Sequence, residues 1–186
     1  IVNTCNFLRP PEGEACLLSL DEARTVFHEF GHGLHGLLSN VTYPRLAGTS
    51  TARDFVELPS QLYEHWLEQP QVLERLTHYQ TGAPIPPEML DRLKAARNAN
   101  SGFETVEIVS SALLDMAFHE RTAAGPVDAD ALEAETLARI GMPDEIVLRH
   151  ASPHFAHIFA GDGYAAGYYS YLWSEVLDAD GFGAFE

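Results

Sequence analysis

Residues 25–38 read TVFHEFGHGLHGLL and carry His28, Glu29, His32 and His35. His28-Glu29-Phe30-Gly31-His32 has the spacing HExxH. Residues four apart on an α-helix lie one turn apart on the same face, so two imidazoles can converge on one metal ion. Glu29 stands one step round that helix, beside the place of a metal-activated water. Zinc suits such donors, and it lowers the pKa of water to about 7, within reach of a carboxylate base. His35 follows His28 by two turns and points the same way. A rise of about 1.5 Å per residue puts it roughly 10 Å further along the axis. An unbroken helix cannot bring all three histidines to one ion, so His35 reads as a packed or solvated histidine.

A catalytic zinc usually has three protein ligands and an open position. The next acidic segment, RDFVELPSQLYEHWLE, offers Asp54, Glu57, Glu64 and Glu68. The chain between His32 and Glu57 is long enough for a loop and an antiparallel return, but spacing does not choose among the four. A second set of candidates lies in HFAHIFAGDGYAAGYYSYLW. On a helix, Tyr164, Tyr168 and Tyr171 would share a face at i, i+4, i+7. Hydroxyl donors of that kind can stabilise a developing oxyanion, where losing one typically costs about 10²–10³ in rate. An aromatic stripe is more usually a helical core, with each hydroxyl finding a partner at its rim. Gly161 and Gly163 suit a mobile loop that closes over a bound ligand.

These residues need a scaffold. Alternation and turn residues predict two short strands, IVNTCNFLR and ACLLSL, around PPEGE. A helix is expected from an N-cap at Asp21, with Ala23, Val26, Phe27, Phe30, Leu34, Leu37 and Leu38 as its buried stripe. Further helices are expected over 52–68 (kinked at Pro59), 71–80, 87–100, 103–122, 128–142 and 163–180. The fold class is therefore mainly α, with a small N-terminal strand pair. GDGYAA loosely matches a dinucleotide-binding turn, but that site needs a βαβ unit, which this helical pattern does not supply.

The chain has 186 residues, 46% of them hydrophobic, enough for one compact domain. Its formal net charge of −16 argues against a nucleic-acid surface. No apolar run reaches membrane-spanning length, so no membrane partner is expected. Cys5 and Cys16 stand outside any CxxC arrangement, which argues for a reducing compartment and a cytoplasmic location. The chain opens inside an extended run and stops without a terminating element, so residues 1–186 are expected to be part of a longer protein cut at both ends.

Three ordered blocks, FHEFGHGLHGLL, RDFVELPSQLYEHW and HFAHIFAGDGYAAGYYSYLW, resemble the thimet oligopeptidase family of zinc metallopeptidases, and within it the bacterial oligopeptidase A and peptidyl-dipeptidase branch. The likeness runs along essentially the whole chain and is weakest over 71–149. It implies an almost wholly helical fold around a deep channel, and one zinc per chain held by His28, His32 and Glu57. It further implies Glu29 as general base, and short unfolded peptides as substrates. His157, rather than His154, and Tyr164 and Tyr171 match its catalytic donors. Tyr168, Gly161 and Gly163 match its substrate-binding block, and Tyr169 is left to packing. Arg53 and Arg149 could clamp a substrate carboxylate, but surface salt bridging is their expected role. The resemblance makes the chain the catalytic part of a longer peptidase that lacks its N-terminal half. The alternative is a truncated helical zinc-binding fragment without turnover.

Overall fold

A computed structural model describes every residue except Asn98. The chain is mainly helical and divides into two compact units, residues 1–96 with 174–186, and residues 97–173.

The first unit is built on α1 (Leu20–Leu38). Its N-cap is Ser19, not Asp21. The Ser19 hydroxyl accepts the Glu22 N–H at 3.1 Å, and the Glu22 carboxylate accepts the Ser19 N–H at 2.7 Å. This reciprocal pair satisfies two donors that the helix leaves open, which a lone aspartate cannot do. Asp21 lies inside the first turn, where its charge suits the helix dipole and meets Arg24 at 2.9 Å.

The helix expected over 52–68 is divided. α2 (Arg53–Val56) ends at Glu57, and α3 (Leu58–Glu64) starts with Pro59 in its first turn, where proline's missing N–H is harmless. A 3-10 turn, His65–Glu68, leads to α4 (Pro70–Leu73). The helix expected over 71–80 stops at Leu73. Beyond it the chain turns and makes a single bridge between Thr77 and Pro84. α5 (Pro87–Arg97) follows; the expectation for this helix ran on over Asn98, which lies outside the described residues.

α1 packs along α3 through a glycine. A Cβ on Gly31 would stand 2.6 Å from the Ser60 Cα and 2.7 Å from the Pro59 carbonyl oxygen. No real side chain fits that gap, so glycine sets how closely the two helices approach. The expected apolar stripe of α1 is correspondingly misplaced. Gly31 and Gly33 are its buried positions, whereas Val26, Phe30, Leu37 and Leu38 are exposed. Only Phe27 and Phe30 find an aromatic neighbour, both at Tyr63 of α3.

The N-terminal strand pair does not form. Residues 1–19 are mostly exposed, and among the described residues the Thr77–Pro84 bridge is the only β pairing. Two short strands hold together only against further strands or a covering face.

The second unit contains α6 (Ser101–His119) and α7 (Ala129–Ile140). Asp128 caps α7 by accepting the Ala131 N–H at 3.0 Å, and Gly141 ends it in the left-handed conformation that favours glycine. Two 3-10 turns, Ser152–His154 and Ala156–Phe159, precede a run of tight turns. The last helix, α8 (Ser170–Phe182), gives its residues through Trp173 to this unit and the rest to the first. Phe155, Ile158 and Tyr168 form the core, flanked by Ala112, Phe118 and Tyr171.

The helix expected over 163–180 thus begins only at Ser170. The region 162–166 is turn, with Ala166 at φ 53°. Glycines at 161, 163 and 167 weaken helix there, and a buried carboxylate supplies a non-helical partner for two of the turn's N–H groups. Tyr164 and Tyr168 consequently do not share a helical face with Tyr171.

Candidate functional site

In the first unit, α1 presents His28 and His32 on one face, with ring centroids 4.9 Å apart. The break between α2 and α3 turns Glu57 toward them. Its Oε2 lies 3.3 Å from Nε2 of His28 and 3.2 Å from Nε2 of His32. These are the donor atoms a cation needs, and all of them fall within 4.8 Å of one another. Ligands about 2.0–2.1 Å from a tetrahedral zinc stand roughly 3.3 Å apart, so this set fits such an ion. Glu57 is buried, and Ser60 donates to its Oε2 at 3.2 Å, which fixes the carboxylate.

The electrostatics suit a cation. Burial alone would lower the pKa of His28, but hydrogen bonds and charges from Glu57 and Glu64 raise it to about 9. Burial would raise Glu57, yet its two imidazole partners hold it well below the usual carboxylate range. A metal ion bound here would take the place of the proton these groups otherwise share.

Of the four acidic candidates, only Glu57 faces both histidines. Glu64 lies behind His28, with its Oε1 2.7 Å from Nδ1, and so orients the imidazole that Glu57 meets from the other side. Arg24 stands 3.9 Å from the Glu64 carboxylate and 3.3 Å from that of Glu68. Asp54 offers its backbone carbonyl to the Ser174 hydroxyl at 3.3 Å. Glu29 is half-buried, and its carboxylate has no hydrogen-bond or ion-pair partner among the described residues. His35 stays apart from the cluster. It lines an apolar cleft with Leu34, Leu38, Pro59 and Leu62, and its ring meets Phe55 in a T-shaped contact. Burial and the neighbouring His32 lower its pKa.

In the second unit, the ring of His157 is surrounded by Tyr164, Tyr168 and Tyr171, with centroids at 5.0, 5.6 and 5.9 Å. The Tyr171 hydroxyl is 3.4 Å from Nε2 of His157. The four residues come together although the shared helical face expected for the tyrosines does not exist. His154 is exposed and outside this group, as is Tyr169, which was expected to pack. Burial raises the pKa of Tyr168, opposed by Arg149 and supported by Glu107. Gly161 and Gly163 are exposed in the turns before Tyr164.

Sequence reasoning missed Asp115, whose carboxylate accepts the N–H groups of Ala166 and Tyr168. The signal was a single acid inside the apolar run SALLDMAF of α6, at a position a plain core would give to leucine or alanine.

Two imidazoles and one carboxylate brought this close on a helical scaffold form a donor set that could hold a single metal ion. The family model for peptidase family M3 matches residues 1–186, and the chain belongs to that family. It is 48% identical over 186 residues to a dipeptidyl carboxypeptidase of Escherichia coli, covering 98% of this chain and 27% of the relative. It is 44% identical over 189 residues to oligopeptidase A of the same organism, with the same coverage. A mitochondrial intermediate peptidase of Mycosarcoma maydis is 37% identical over 186 residues, covering 95% of this chain and 21% of the relative. The chain therefore spans about a quarter of the length of these relatives. No helix among the described residues is long and apolar enough to cross a membrane.

Proposed function

We propose that this chain is the metal-bearing catalytic part of a longer zinc-dependent peptidase that hydrolyses short peptides, as an oligopeptidase or a peptidyl-dipeptidase. The observation that carries the reading is the convergence of the His28 and His32 Nε2 atoms on one oxygen of Glu57. Membership of peptidase family M3 supports the reaction class. The free cysteines Cys5 and Cys16 support a reducing, cytoplasmic setting.

His28, His32 and Glu57 would hold one zinc per chain. When bound, zinc supplies Lewis-acid polarisation of the scissile carbonyl and a lowered pKa for the attacking water. Glu29, whose carboxylate is not engaged elsewhere, takes the proton of that water and delivers it to the leaving amine nitrogen. Glu64 keeps the Nδ1 of His28 occupied, so that Nε2 is the free donor. His157, Tyr164 and Tyr171 donate hydrogen bonds to the oxyanion, and Tyr168, Gly161 and Gly163 contact the peptide backbone.

The test is zinc per chain in the purified protein, by elemental mass spectrometry after dialysis against metal-free buffer. About one zinc is expected in the parent and essentially none in Glu57→Ala. Equal zinc in both would reject Glu57 as a ligand. Mapping the products of one long peptide then separates the two modes: successive C-terminal dipeptides mark a peptidyl-dipeptidase, and internal fragments an oligopeptidase.

A further inference from the structure

The turn that carries the tyrosines hangs on one carboxylate. Asp115 of α6 is fully buried. Its Oδ1 accepts the Ala166 N–H at 3.0 Å, and its Oδ2 accepts the Tyr168 N–H at 2.9 Å. Nδ1 of His119, one turn along the same helix, lies 2.8 Å from Oδ1. A carboxylate without solvent is tolerated only when its oxygens are taken up by strong donors, and here both are. The two backbone donors come from a segment about fifty residues further along the chain.

That segment has an unusual backbone. Ala166 sits at φ 53°, in the left-handed region that strains a residue with a Cβ. The two N–H groups held by Asp115 are those of Ala166 itself and of the residue two beyond it. On either side of this strained point stand Tyr164 and Tyr168, whose rings pack edge-on to His157. Tyr168 also packs against Phe155 and Tyr171, with centroids at 5.0 and 5.3 Å. Loss of the carboxylate would let Ala166 relax toward negative φ and rotate the peptide planes that aim both tyrosines.

We propose that Asp115 is a positioning residue: by holding the N–H groups of Ala166 and Tyr168 it fixes the 164–168 turn that presents the donor Tyr164 and the backbone-contacting Tyr168 to a substrate. This rests on the reading of the tyrosine and histidine cluster as substrate donors. Asp115 touches no substrate; it acts through Tyr164 and Tyr168.

The test uses Asp115→Asn in the zinc-loaded protein, with a fluorogenic peptide and with hydrogen exchange at individual amides. The asparagine keeps one acceptor but turns an N–H toward the other backbone donor. The expected result is a fall in kcat of about 10–100-fold, as for small misplacements of catalytic groups. Zinc content should be unchanged, and exchange at Ala166 and Tyr168 faster. Combined with Tyr164→Phe, the two losses should not multiply, because both remove the same donor. Ala166→Gly, which accepts positive φ without strain, should restore part of the kcat of Asp115→Asn. A plain packing defect in α6 would not respond to that second change. Should Asp115→Asn fail to fold, Ala166→Val disturbs the same turn from its half-buried side, and the same loss and the same non-additivity with Tyr164→Phe are expected. Unchanged exchange at the two amides, fully multiplicative losses, or a kcat untouched while Tyr164→Phe lowers it would each overturn the inference alone. Full kcat in both Tyr164→Phe and Tyr171→Phe would overturn the donor reading and this inference with it.

Discussion

The two units hold their candidate functional side chains by different means. In the first, the pitch of α1 puts His28 and His32 side by side, and a neighbouring helix closes to within a glycine's width to bring Glu57 against them. In the second, no regular element sets the spacing. His157 leaves a 3-10 turn, Tyr164 and Tyr168 come from irregular turns, and Tyr171 stands at the start of α8. Their grouping depends on side-chain-to-backbone bonds from Asp115. A pair set by helix pitch moves only if its helix melts, whereas a cluster hung on a turn can lose its alignment while every helix stays intact. The first arrangement should therefore fail through metal loss, and the second through kcat with metal retained.

The sharpest separation of chemistry from binding is Glu29→Gln. It should lower turnover by about 10³–10⁴-fold, in the range of a lost general base, with zinc still near one per chain. Near-normal activity would rule out Glu29 as the base. Tyr171→Phe comes next, with a kcat loss of about 10²–10³-fold and unchanged zinc. A loss of zinc in that variant would break the contrast drawn between the units.

Glu64→Gln tests the orienting contact behind His28. Zinc affinity should weaken by about 10–100-fold, read by competition with a chromophoric chelator, while turnover at saturating zinc changes little. The smallest effect is expected from Gly31→Ala. The added Cβ must push α3 outward, a form of overpacking that typically destabilises by about 1–3 kcal/mol. A lower melting temperature should accompany a zinc affinity weakened by less than about tenfold. A melting temperature equal to the parent's would show that the α1–α3 spacing is less rigid than the structure draws it.

Much of this architecture can be read without coordinates. The helical class, the long helices α1, α6 and α7 and the turn-rich stretch before α7 follow from local periodicity, propensity and punctuation. The misses have a common form. Ser19 displaced Asp21 as cap because the capping box needs two residues acting on each other. The strand pair failed because strands need partners that a local pattern does not contain. The stripe of α1 was misjudged because large apolar residues were taken for the packed face, when the close contact with α3 runs through glycine.

The same division applies to the candidate site. The His28–His32 pair and the adjacent Glu29 are consequences of helix pitch, a local property, and any helix of this sequence would carry them. Which of four carboxylates meets that pair depends on where α2 gives way to α3 and how closely α3 approaches α1, so folding alone distinguishes Glu57 from Glu64. His157 differs from His154 only in the direction its turn gives it. The Asp115 contact is the extreme case. It joins two segments far apart in the chain through backbone N–H groups, which every residue but proline has, so the lone acid in SALLDMAF marks Asp115 while nothing in the sequence marks its partners.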